Sequence, residues 1–225
     1  MPFFDLPRIS WHLPGLALLL ACLGGCSSLN SALGGTSEQQ ALTQVQWNYG
    51  SAALRLEISS DAALNSYDGE AHSVVLAVVQ TSEPEAFYQF LETPDIVAKV
   101  LQGTRGPAGL LQTTRYAIEP GRKAKIRLDR AQGAHYVGVI VAFYDVPVAK
   151  TAKLFNLPVD VSSSGIVVRE HSAAPALAGL NLKLGADSIV EAKITALPAE
   201  KPGKGEVAPT PNTVGALKLN DVSEP

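Results

Sequence analysis

Val74-Val75-Leu76-Ala77-Val78-Val79 and Tyr136-Val137-Gly138-Val139-Ile140-Val141-Ala142-Phe143-Tyr144 are apolar at both parities of a strand. Strands of this kind are covered on both faces. One face can pack on a second sheet, but something else must cover the other. Around them the dominant period is two. Leu54, Leu56 and Ile58 alternate with Arg55 and Glu57, and Leu180, Leu182 and Leu184 alternate with Asn181 and Lys183, so each reads as a half-buried strand. Ile126 and Leu128 flank Arg127 just after Glu119-Pro120-Gly121, which suits a type II turn. Ile189 to Ile194 and Ile166 to Val168 read as further strands.

The missing cover is written between the two apolar stretches. Ser82-Glu83-Pro84-Glu85 has the pattern of a capping box, with Pro84 tolerated in the first turn. Phe87, Phe90 and Leu91 then fall on one face of a short helix. Thr93-Pro94 starts a second helical turn carrying Ile96, Val97, Val100 and Leu101, and Gly103 is placed to end it. The expected fold is mainly β: a two-sheet β-sandwich with a small added helical element and no internal repeat, coiled coil or second domain.

The ends of the chain read differently. Leu23-Gly24-Gly25-Cys26 follows the apolar run Leu16 to Ala21 and looks like a bacterial lipobox, in which the chain is cut before a cysteine that becomes lipidated. The alternative, a transmembrane helix, fits poorly. Pro14, Gly15, Gly24 and Gly25 interrupt the segment, and its apolar part falls short of the roughly 20 residues a span needs. Ser27 follows the cysteine, where an aspartate typically retains lipoproteins in the inner membrane, so the outer membrane is the expected destination. The expected organisation is a signal peptide at 1–25, a flexible tether at 26–45, the β-sandwich at 46–197 and a disordered proline-rich tail at 198–225.

Composition narrows the chemistry. With Cys22 removed and Cys26 acylated, no thiol remains among the 200 mature residues for a disulfide, a zinc site or a nucleophile. A net charge of -3 and the lack of a basic run argue against nucleic-acid binding. His12, His72, His135 and His171 are scattered, without the helical pair a zinc site uses; His135 is expected at the exposed end of a strand and His171 in a polar loop. No Gly-x-Ser-x-Gly elbow occurs, and Gly103 to Gly109 lacks the ending of a phosphate loop.

The stretch from Ser59 to Ser73 stands out. It joins two strong strands with 15 residues, where hairpin loops use two to five. Asp61, Asn65, Asp68 and Glu70 lack the spacing of an EF-hand loop, so no metal is expected. Leu64 and Tyr67 place apolar surface among these polar groups. They suit either an interface or a fold-back onto the core.

The ordered set resembles a known family: the lipobox, Asp61, Leu64 and Asn65, then Asp68-Gly69 and His72-Ser73 leading into an apolar strand that ends in Gln80. Phe87, Pro120-Gly121, Leu128-Asp129-Arg130-Ala131 and the strand from Tyr136 follow in order. Over roughly residues 50 to 195 the chain looks like the TssJ-type lipoproteins (VasD/SciN family) of the type VI secretion system. The resemblance implies a transthyretin-like β-sandwich, an outer-membrane lipid anchor at Cys26 with the domain facing the periplasm, no enzymatic activity and no cofactor. It also implies docking to the periplasmic C-terminal region of TssM, with TssL in the same complex. The family's partner loop maps onto Leu64, Asn65, Ser66, Tyr67, Asp68, Gly69, Glu70, Ala71 and His72, with Leu64 and Asn65 matching best. Two other readings stand beside this structural adaptor: a transthyretin-like periplasmic lipoprotein that binds a small molecule or glycan, and a lipid-anchored hydrolase. The first would present exposed Trp or Tyr platforms, and only Trp47 remains in the mature chain.

Overall fold

The computed structural model describes residues 34–166 and 168–198. The segment read as a signal peptide, Cys26 and nearly all of the proline-rich tail lie outside the described residues. In chain order the elements are helix α1 (Glu38–Thr43), strands β1 (Gly50–Ser60) and β2 (Val74–Thr81), helices α2 (Pro84–Leu91) and α3 (Pro94–Gln102), and strands β3 (Leu110–Ile118), β4 (Lys123–Arg130) and β5 (Tyr136–Ala142). A 3-10 turn at Val148–Thr151 follows, then β6 (Ala152–Asn156), β7 (Val159–Ser164), β8 (Glu170–Pro175), β9 (Leu177–Leu184) and β10 (Ile189–Leu197). Among the described residues no helix is long and apolar enough to cross a membrane.

The chain divides into two units, residues up to Val45 with Val161–Ala173, and Gln46–Asp160 with the chain from Ala174. The first contains α1, within the stretch read as a tether. Ser37 caps it reciprocally, accepting from the Gln40 N–H while the Gln40 side chain accepts from the Ser37 N–H. Ile166, read as part of a strand, is the 99 % exposed tip between β7 and β8, with Gly165 in the left-handed region beside it. His171, read as a loop residue, lies on β8, where its N–H donates to the Thr36 hydroxyl and that hydroxyl donates back to its carbonyl. Both differences have one cause: polar residues that alternate too weakly to mark strands still pair with each other as a hairpin.

The second unit is the sandwich. One sheet has the order β10-β9-β1-β4 and the other β3-β2-β5-β6. β1 runs parallel to β9, and every other pairing in the two sheets is antiparallel. Leu54, Leu56, Ile58, Leu128, Leu180, Leu182 and Leu184 of the first sheet meet Val74, Leu76, Val78, Val137, Val139 and Val141 of the second in one buried cluster. Gln80, only 1 % exposed, ties the sheets together. Its amide donates to the Asp129 carbonyl at 2.8 Å and accepts from the Ala131 N–H at 2.8 Å.

The opposite parity of the apolar strands is also dry. Ala77, Val79 and Ile140 pack beneath Phe87 and Phe90 of α2 and Val97 and Val100 of α3, a second buried cluster. The helices therefore form the cover that the sequence demands. The box expected at Ser82 does not form. The helix begins at Pro84, its N-cap is Glu83, and the Thr81 hydroxyl takes the Glu83 N–H. Gly103, at φ 126°, ends α3 in a conformation that glycine adopts at no steric cost.

Gly138 sets how closely α2 approaches. A Cβ there would stand 2.3 Å from the Phe87 ring. Gly138→Ala should overpack this contact and lower stability by about 1–3 kcal/mol, read as a shift of the urea midpoint at unchanged slope. An unaltered midpoint would mean that α2 rides loosely over the sheet.

Candidate functional site

The strand directions bring four connections to one end of the sandwich: 61–73, 119–122, 143–147 and 185–188. The first is anchored by its own backbone. Asp61 donates its N–H to the Leu184 carbonyl, accepts the Gly121 N–H on its own carbonyl, and accepts the Ala63 N–H on its side chain. Asp61 is thus occupied in a turn, and among the described residues no group of three or more His, Cys, Asp or Glu is gathered as a metal site.

Leu64 and Asn65, expected on the partner-facing surface, are turned inward. Leu64 is fully buried in the main core, the fold-back that its apolar side chain allows. Asn65 is 8 % exposed and sits at φ 50°, a left-handed conformation that Asn tolerates. Its side-chain oxygen accepts the Tyr144 N–H at 2.6 Å, so the 61–73 loop and the loop after β5 are fastened together. The Leu64 carbonyl accepts the His72 N–H and closes the base of the loop.

Above that base stands a miniature hairpin. Tyr67 and Glu70 exchange both backbone hydrogen bonds across Asp68 and Gly69, at φ 53° and 82°. This is the two-residue turn that Asp-Gly favours. The Tyr67 ring lies between two others, stacked on His72 at 3.7 Å and on Tyr144 at 4.3 Å between ring centroids. His72 Nε2 is buried without a hydrogen-bond partner. Ser66, Asp68, Gly69, Glu70 and Ala71 remain exposed at the tip. Tyr144, read from sequence as the end of a strand, leaves the sheet after Ala142 and is 63 % exposed. Asp145 beside it is also exposed and holds a left-handed φ of 54°. The result is a rigid apolar ridge with a free ring face and carboxylates at Asp68, Glu70 and Asp145. Tyr67 and the length of its loop mark this region in the sequence, whereas Tyr144, far along the chain, reads there only as the end of a strand.

The other end of the sandwich holds a structural cluster. Trp47 is half-buried, with the Arg130 guanidinium 5.8 Å above its ring and His135 at 4.8 Å, so it is no open platform for a sugar. Arg130 is 7 % exposed and donates to the Asn48 carbonyl, and burial lowers its pKa.

The family model for "Type VI secretion lipoprotein, VasD, EvfM, TssJ" matches residues 52–172, more than half of the chain and all of the loop just described. The chain belongs to this family. It is a secretion lipoprotein family, not an enzyme family. No match was found among curated protein sequences. Three similar solved structures are the type VI secretion lipoprotein TssJ1 from Pseudomonas aeruginosa, the TssM C-terminal domain from EAEC, and Serratia marcescens Lip, a membrane-bound component of the type VI secretion system. The first shares 19 % identity over 68 % of this chain and 98 % of its own, with a TM-score of 0.43. The second shares 15 % over 65 % and 98 %, TM-score 0.43, and the third 18 % over 60 % and 93 %, TM-score 0.41.

The loop separates structural from surface residues. Leu64→Ala should cost about 2–5 kcal/mol of stability, whereas Tyr67→Ala, which loses the stacking of a half-buried ring, should cost about 1 kcal/mol. Denaturant unfolding of the two variants distinguishes them. Equal losses would show that the stack is part of the core.

Proposed function

We propose that this chain is the lipid-anchored adaptor of a type VI secretion membrane complex, held at the outer membrane through Cys26 and docking the periplasmic C-terminal region of TssM. The observation that carries the reading is the family match, which spans the 61–73 loop. The geometry of that loop supports it. Asn65, Leu64 and the ring stack hold the tip in one conformation before any partner arrives, which lowers the ordering cost of association. The surface offered is an aromatic ridge with an acidic rim, a combination suited to a partner presenting apolar pockets beside basic side chains. Ser66, Tyr67, Asp68, Gly69, Glu70, Ala71 and Tyr144 form the contact surface on this reading. Leu64, Asn65 and His72 position it. TssL belongs to the same complex on this reading.

Calorimetric titration of residues 27–225, which include every described element, against the C-terminal region of the cognate TssM tests the docking. Saturable binding is expected, weakened at least tenfold by Tyr144→Ala, in line with an aromatic hot spot. A folded protein that gives no saturable heat would sink the adaptor reading. The anchor is tested separately in cells. Cys26→Ser should move the protein out of the membrane fraction without unfolding it, and retention would place the anchor at Cys22 or in an uncleaved segment.

A further inference from the structure

Strand β6 ends its sheet, and among the described residues no strand pairs with its outer edge. Ala152 and Leu154 point from it towards the helices, while Phe155 packs on the main core. Between β6 and α2 lies a recess of about 570 Å³, open to solvent. Tyr88, Leu91, Ala152 and Leu154 line it, with Glu92 and Lys153 as exposed charges beside them. Tyr88 is 56 % exposed although it belongs to the helix that covers the sheet. An open edge with an apolar recess alongside suits an added strand, whose main chain bonds to the edge while alternate side chains fill the recess. The other edges suit one less. β4 carries Lys123, Lys125 and Arg127 and β10 carries Glu191 and Lys193 at alternate positions, and charges along an edge discourage pairing. Gly106 lies close against Leu110 and Thr113 of β3.

The chain itself supplies an occupant. Leu197, at the end of β10, pairs with Leu177, and the adjacent Ala176 donates its N–H to the Pro158 carbonyl, just past the end of β6. The described chain therefore ends at Pro198 beside β6, with 27 residues still to come. Their prolines are grouped: Pro202, Pro209 and Pro211 precede a stretch, 212–224, that has none. Within it Leu217-Lys218-Leu219 alternates as Leu182-Lys183-Leu184 does on β9, with Val214 and Ala216 leading in. Residues 199–212 can span up to about 45 Å, whereas the five residues of β6 cover about 17 Å. Either direction along the edge is within reach.

We propose that residues 213–220 of this chain add to the outer edge of β6 as a further strand of its sheet. Leu217 and Leu219 then continue the row of Ala152 and Leu154 and fill the recess beneath Tyr88 and Leu91. The tail closes an edge that would otherwise be open to pairing with other chains, and it completes the apolar contact surface of α2. The inference rests on neither the lipid anchor nor the 61–73 loop.

Hydrogen exchange of residues 27–225, read by mass spectrometry, is the test. Amides of 213–220 are expected to exchange roughly tenfold more slowly than those of 199–212. Leu217→Asp combined with Leu219→Asp should abolish that protection and speed exchange in 152–156. Tyr88→Asp, on the recess side, should also release the tail. Circular dichroism checks that the sandwich of each variant is intact. A wild-type tail that exchanges alike throughout, or protection that Tyr88→Asp leaves unchanged, overturns the proposal. Residues 27–225 contain no cysteine, so an introduced pair reports proximity directly. Lys153→Cys, combined in turn with Ala216→Cys, Lys218→Cys and Asn220→Cys, should form a disulfide within one chain in at least one combination. Disulfides formed only between chains would assign the edge to the tail of a second copy, and none in any combination would place the tail elsewhere; both overturn the proposal.

Discussion

The central strand pair β2–β5 must be dry on both faces, and the rest of the architecture follows from that requirement. Val74, Leu76, Val139 and Val141 face the other sheet, while Ala77, Val79 and Ile140 face outward. Each large aliphatic side chain left in water forfeits about 1.5–3 kcal/mol, and a domain's net stability is only about 5–15 kcal/mol. An uncovered outer face would therefore consume much of it. The two helices between β2 and β3 supply the cover, and Gly138 lets the Phe87 ring rest directly on the sheet. The opposite sheet escapes this requirement because its outward residues are mostly charged or polar. The sandwich consequently has one helical face and one bare face of mixed charge.

Covering the outer face locally leaves the 61–73 loop free of packing duties beyond its base. Leu64 enters the core and Asn65 clasps the loop that carries Tyr144. What projects above them is short and fixed, because an Asp-Gly turn and a three-ring stack act on the same few residues. The chain thus offers a preorganised ridge to its surroundings. Its length, unusual for a hairpin connection, is explained by the turn that anchors it and the miniature hairpin that it supports.

Much of this was legible in the residues. The doubly apolar stretches demanded a second cover, and Phe87, Phe90, Val97 and Val100 lay at helical spacing to provide it. Leu54 to Ile58 and Leu180 to Leu184 fixed which side chains face inward, since strand periodicity leaves no choice once one face is dry. The loop was conspicuous by its length. The fates of Leu64 and Tyr67 were open, because one sequence supports both an interface and a fold-back. The β7–β8 hairpin was missed because Asp160 to Ser164 and Glu170 to Ser172 are mostly polar and carry little hydrophobic signal.

The sequence by itself determined the β-class fold and the need for helical cover, because periodicity and local motifs are properties of neighbouring residues. Tertiary structure alone decided two things. It set Tyr67 against Tyr144, and it turned Leu64 and Asn65 inward at the base of the same loop. Stacking and burial here depend on contacts between segments far apart along the chain, and no local pattern records them.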